Sequence, residues 1–129
     1  MEEIKKPSVL IADDDSMLRE MLKLILHSEG YKVVGEASNG IDAVMQCVKL
    51  KPDLVLLDIN MPKMDGLQAL VEIHKATPQA RVIMVSALVT MDSVSEAIQN
   101  GAIGFVVKPL NPATVLDQIK MCLRKKEKA

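Results

Sequence analysis

Two kinds of apolar patterning alternate along the chain: short unbroken runs, and longer stretches in which apolar residues recur three or four positions apart. The runs are Ser8 to Ala12, Tyr31 to Ala37, Leu54 to Leu57 with Asp58 at their end, Arg81 to Ser86, and Ala102 to Val107. Short runs rich in Val, Ile and Leu, closed by turn residues, predict strands covered on both faces. Between them Leu18, Met21, Leu22 and Ile25 predict an amphipathic helix, as do Ile41, Val44, Cys47 and Val48. Leu67, Leu70 and Val71 predict a third, Met91, Val94 and Ile98 a weaker fourth, and Val115, Ile119 and Cys122 a fifth. The stops and starts agree with this division. Gly30 ends the first helix, Asn39 or Ser38 caps the second, Lys51 and Pro52 stop it, and the third ends before Pro78. Asn100 and Gly101 close the fourth, while Asn111 as N-cap and Pro112 as first helical residue open the last.

Five strand-helix units in succession predict a parallel sheet with helices on both faces, and right-handed crossovers leave few topologies. The α/β, flavodoxin-like strand order 2-1-3-4-5 is the natural one. At 129 residues the chain is expected to be one domain, residues 1–129, with a core over about 7–124 and short charged tails. Mean hydropathy is +0.18, yet no apolar run approaches the ~20 residues of a membrane span. The opening MEEIKKPS is charged in both signs with no apolar signal region behind it, so a cytoplasmic location is expected.

Sixteen basic and 17 acidic residues give a net charge of −1, with no global field for direct nucleic-acid binding. The one basic run, Arg124, Lys125, Lys126 and Lys128, reads as a solvated helix end. Cys47 and Cys122 stand among apolar neighbours with no metal-ligand spacing and read as buried reduced thiols. His27 and His74 are isolated, and no function is assigned to them.

The candidate chemistry lies where strands end. In open parallel sheets ligands collect beyond the carboxyl ends of the strands. Those positions carry Asp13 and Asp14, then Asp58, Ser86 and Lys108. Three converging carboxylates repel, which raises at least one pKa unless a cation joins them. A hard divalent cation such as Mg²⁺, held by one or two carboxylates with waters and phosphate oxygens, meets that need. Asp14 and Asp58 are the candidate direct ligands, with Asp13 orienting a bound water. A carboxylate can also attack phosphorus, so Asp58 is a candidate nucleophile, with Lys108 and Ser86 to receive phosphoryl oxygens.

These ordered segments, VLIADDD, DLVLLDINMPKMDG, VIMVSA and GFVVKPLNP, make the chain resemble a receiver domain of two-component response regulators, close to the stand-alone chemotaxis type. The resemblance covers essentially the whole chain. It implies that Asp58 accepts phosphate from the phosphohistidine of a histidine kinase, that Asp13 and Asp14 bind Mg²⁺, and that the backbone carbonyl of Asn60 completes the metal site. It implies a cis Lys108–Pro109 bond. It also implies a switch in which Ser86 moves toward the phosphoryl group and Phe105 turns inward; the family often has Thr and Tyr at these two places. Output would pass to a downstream protein through the fourth helix, fifth strand and fifth helix, from a monomer or a phosphorylation-dependent dimer. Enzymatic activity would be limited to autophosphorylation and autodephosphorylation.

Two other classes are weighed against this one. An Asp-nucleophile phosphatase resembles its relatives in having a second Asp two residues after the nucleophile, but Asn60 stands there and cannot act as a general acid. A flavin carrier is disfavoured because Asp13 to Asp15 would repel the flavin phosphate. Leu88, two residues past Ser86, either borders the site and tunes water access or packs into the core.

Overall fold

The computed structural model describes residues 6–127, with side chains through 124. Its elements are β1 (Ser8–Ala12), α1 (Ser16–Ser28), β2 (Lys32–Ala37), α2 (Gly40–Leu50), β3 (Leu54–Asp58), α3 (Gly66–Ala76), β4 (Arg81–Ser86), α4 (Met91–Gln99), β5 (Gly104–Val107) and α5 (Pro112–Glu127). The strands are parallel in the order β2-β1-β3-β4-β5, the flavodoxin-like arrangement.

Successive strand residues point to opposite faces, which divides the core in two. Leu10, Val55, Leu57, Val82 and Met84 pack with residues of α2, α3 and α4, whereas Val9, Ile11, Leu54, Leu56, Ile83 and Val106 pack with residues of α1 and α5. Each fully buried Leu, Ile or Val contributes about 1.5–3 kcal/mol by leaving water. Cys47 and Cys122 are buried thiols, not joined in a disulfide, on different sides of the sheet. Burial pushes the Cys47 thiol up to about 12.

Several helical faces are rotated from those the periodicity predicts. On α1 the buried residues are Leu22, Ile25 and Leu26, and Met21 is exposed. On α2 they are Gly40, Ala43 and Cys47, with Ile41 and Val48 exposed, because small residues let this helix pack against α3. On α4 only Ala97 is fully buried, while Met91 is 87% exposed and Ile98 also faces solvent. Two strands start later than expected. The Tyr31 N–H bonds the Leu26 carbonyl, and the Ala102 N–H bonds that of Ala97, so both residues belong to the preceding helix ends. Of the terminal basic run, Arg124 is exposed; the side chains of Lys125, Lys126 and Lys128 lie outside the described residues.

Candidate functional site

Strand register decides which side chains meet. Ala12 stands opposite Leu57, so Asp13 and Asp58, one residue further on, leave neighbouring strands side by side. Ser86 stands opposite Val107, and the backbone N–H of Lys108 donates to the Ser86 carbonyl at 2.9 Å, which places Ser86 and Lys108 at the same edge. The Lys108–Pro109 bond is cis. At Gly66 a Cβ would lie 1.9 Å from the Asp58 carbonyl oxygen, so only glycine lets the start of α3 sit against this strand end.

Asp13, Asp14 and Asp58 have carboxylate oxygens within 4.8 Å of one another. Asp13 is 1% exposed and Asp58 3%, while Asp14 opens to solvent. One ammonium serves the two buried acids: Lys108 Nζ lies 3.0 Å from Asp13 Oδ2 and 3.4 Å from Asp58 Oδ1. Asp13 Oδ2 is buried against that ammonium and has no other donor among the described residues, while its Oδ1 accepts the Asp15 N–H at 2.9 Å. Burial, then the charge of Asp13, pushes Asp58 up to about 6, against the pull of Lys108 and the backbone N–H of Asn60. Burial opposes the charge on Lys108, but its contact with Asp13 and the charges of Asp13 and Asp58 outweigh it and hold this lysine above its ordinary value. Clustered acids with a negative excess, three carboxylates against one lysine among the described residues, are the environment a hard divalent cation fits.

The remaining candidates fall into distinct positions. Asp15, the third acid of the run, caps α1, accepting the N–H groups of Met17 and Leu18 at 3.0 and 3.3 Å. Ser86 is buried, and its Oγ donates to the Leu88 carbonyl at 3.2 Å while accepting the Leu88 N–H at 3.3 Å. The Leu88 side chain is 68% exposed, which excludes the core alternative. Asn60 is exposed, with its backbone N–H turned to Asp58. Phe105 is half-buried and borders a groove of about 500 Å³ with Ile98, Gln118 and Met121. One positioning residue has no signal in the sequence: Arg19 donates from Nη1 to the Asp13 carbonyl at 2.7 Å and from Nε to Glu36 at 3.0 Å. Nothing in the spacing of Asp13, Arg19 and Glu36 announces that β2 brings them together.

The family model for the response regulator receiver domain matches residues 9–120. The chain belongs to that family. This receiver domain is 47% identical over 111 residues to the chemotaxis protein CheY of Thermotoga maritima, covering 86% of the chain and 92% of that protein. It is 47% identical over 115 residues to CheY of Bacillus subtilis, covering 89% and 96% respectively. Among solved structures it is similar to the CheX-CheY-BeF3-Mg complex from Borrelia burgdorferi, with TM-score 0.87, 40% identity, and 88% and 87% of the two chains covered. A CheY-like receiver domain protein from Methanospirillum hungatei superposes with TM-score 0.89 at 31% identity, over 96% of this chain and 98% of that one. Receiver domains are signalling switches rather than enzymes and bind Mg²⁺ at an acidic pocket; the cluster here is Asp13, Asp14 and Asp58. Among the described residues no helix is long and apolar enough to cross a membrane.

Proposed function

We propose that residues 1–129 act as one phosphorylation-controlled binding switch in which Asp58 accepts a phosphoryl group from the phosphohistidine of a histidine kinase. The observation that carries this reading is the buried Asp58 carboxylate, held between a second buried acid and the Lys108 ammonium 3.4 Å away. At neutral pH a carboxyl with a pKa of about 6 is largely ionised, hence nucleophilic. Its oxygen bonds to phosphorus as the bond from phosphorus to the donor nitrogen breaks, and the electron pair leaves with that nitrogen. Lys108 then meets a phosphoryl oxygen in place of the carboxylate charge. Ser86 donates to another only by giving up the hydrogen bond it donates to the Leu88 carbonyl, which links the chemistry to the β4–α4 connection.

Asp13, Asp14, Asp58 and the backbone carbonyl of Asn60 are the groups that would hold Mg²⁺. When bound, the ion neutralises the acids and draws charge from the phosphoryl oxygens. Output passes to a cytoplasmic protein partner through α4, β5 and α5, where Met91 and Val107 are exposed and the exposed Ile98 and Met121 border the Phe105 groove. Movement of Phe105 would alter that groove, and no nucleic-acid contact is needed.

The test is incubation with acetyl phosphate and Mg²⁺. One phosphoryl group per chain is expected, with no incorporation when the metal is chelated beforehand and none in Asp58→Asn. Incorporation at the wild-type rate in that variant would overturn the assignment. Steady-state release of phosphate from phosphate esters would instead establish the phosphatase alternative.

A further inference from the structure

The edge of the sheet opposite the acids carries a second polar feature. Beside the start of β4 lies a cleft of about 270 Å³, lined by His74, Arg81, Gly101 and the apolar Pro78, Ala80 and Ile103 among others. Among the described residues no Asp or Glu lines it. Among the described residues the buried Arg81 Nε has no hydrogen-bond acceptor. The backbone of Arg81 is fixed, its N–H donating to the Asp53 carbonyl at 3.0 Å. The Asp53 carboxylate, however, is turned to Ser8, accepting its N–H and hydroxyl at 2.9 and 3.2 Å.

The His74 imidazole, which lines the same cleft, is seated by the fold as well. Gly101 closes α4 with φ +107°, and a Cβ there would lie 2.7 Å from His74 Nδ1, so the ring occupies space that only glycine leaves. A guanidinium is always charged, and a buried N–H without an acceptor has lost water with nothing in return. Apolar walls lower the local dielectric and strengthen the attraction of such a group for an anion.

We propose that this cleft binds a small oxyanion, a phosphate or carboxylate group, with the Arg81 guanidinium as principal donor and His74 as the second. The volume admits inorganic phosphate or a small carboxylic acid, and is below the usual range for larger ligands. The site is separate from Asp58 and independent of whether Asp58 is phosphorylated.

The experiment is a titration of the metal-free protein with sodium phosphate and, separately, with sodium acetate, at constant ionic strength, following backbone amide shifts by NMR. Amides of Arg81, Gly101 and Ile103 are expected to shift saturably, with a midpoint on the order of millimolar. The midpoint should rise at least about tenfold in Arg81→Gln and less in Arg81→Lys and His74→Gln, which preserve one donor each. Saturation by phosphate alone identifies a phosphate site, and by acetate alone a carboxylate site. Absent or non-saturating shifts in the wild type would overturn the proposal, as would an unchanged midpoint in Arg81→Gln. Should Arg81→Gln fail to fold, unchanged midpoints in both Arg81→Lys and His74→Gln would overturn it equally.

Discussion

Strand β3 has an acid at each end, and the two live in different worlds. Asp53, just before the strand, is exposed and accepts two hydrogen bonds from Ser8. Asp58, the last strand residue, is buried, faces Asp13, and shares one ammonium with it. The first is a loop tie, a charge kept in water and satisfied by neutral donors. The second is held in a low-dielectric edge where its charge is opposed, so it is the one suited to bond formation and metal binding. Residue type is identical at the two ends; desolvation and the neighbouring strand make the difference.

The contrast predicts its largest effect in phosphorylation. Asp58→Asn should abolish incorporation from acetyl phosphate, whereas Asp53→Asn should leave its rate within about twofold, as expected for a surface substitution; equal loss in both would erase the distinction.

Stability against pH should separate the two acids next. Burial, then Asp13, raises Asp58 from its ordinary 3.8 to about 6, so the fold accommodates its neutral form better. That contribution is fully present below the unfolded pKa and is lost as pH rises through about 6, on the order of 3 kcal/mol in metal-free protein. Denaturant titrations across this window should show the loss in wild type and Asp53→Asn but not in Asp58→Asn. A wild-type profile indistinguishable from Asp58→Asn would mean that burial does not raise this carboxyl.

Asp14→Ala should weaken Mg²⁺ by at least about tenfold, ~1.4 kcal/mol, and slow phosphorylation with it. Unchanged affinity in a direct titration would remove Asp14 from the ligands. The smallest effect belongs to Leu88, whose exposed side chain follows the Ser86 turn. Leu88→Asn or Leu88→Glu should speed autodephosphorylation severalfold, since ~1 kcal/mol in a barrier is about fivefold. An unchanged phosphate-release time course in both would show that this side chain stands clear of the attacking water.

Much of the scaffold was legible because its causes are local. Strand runs, the Asn111 cap that accepts the Thr114 N–H at 3.2 Å, and the glycine stops at Gly30 and Gly101 each depend on a few adjacent residues. The candidate site was legible for a topological reason: in a parallel sheet every strand ends at the same edge, so Asp13, Asp58, Ser86 and Lys108 had to gather there. Helix faces were less legible. A period near 3.6 gives the spacing of apolar residues but not the neighbour they meet, and on α2 the small Gly40 and Ala43 outcompete the bulkier Ile41 and Val48 for the close approach.

The sequence by itself determined the order of elements, the fold class and which residues reach the acidic edge of the sheet. Tertiary structure alone decided that Asp15 caps a helix while Asp13 is buried, that Arg19 secures Asp13, that Ser86 is tied to Leu88, and that Arg81 Nε is left without an acceptor among the described residues. The reason is range: a cap or a turn is settled by neighbours along the chain, whereas desolvation and charge opposition arise only when the register of β1 on β3 brings two acids 45 residues apart to one edge.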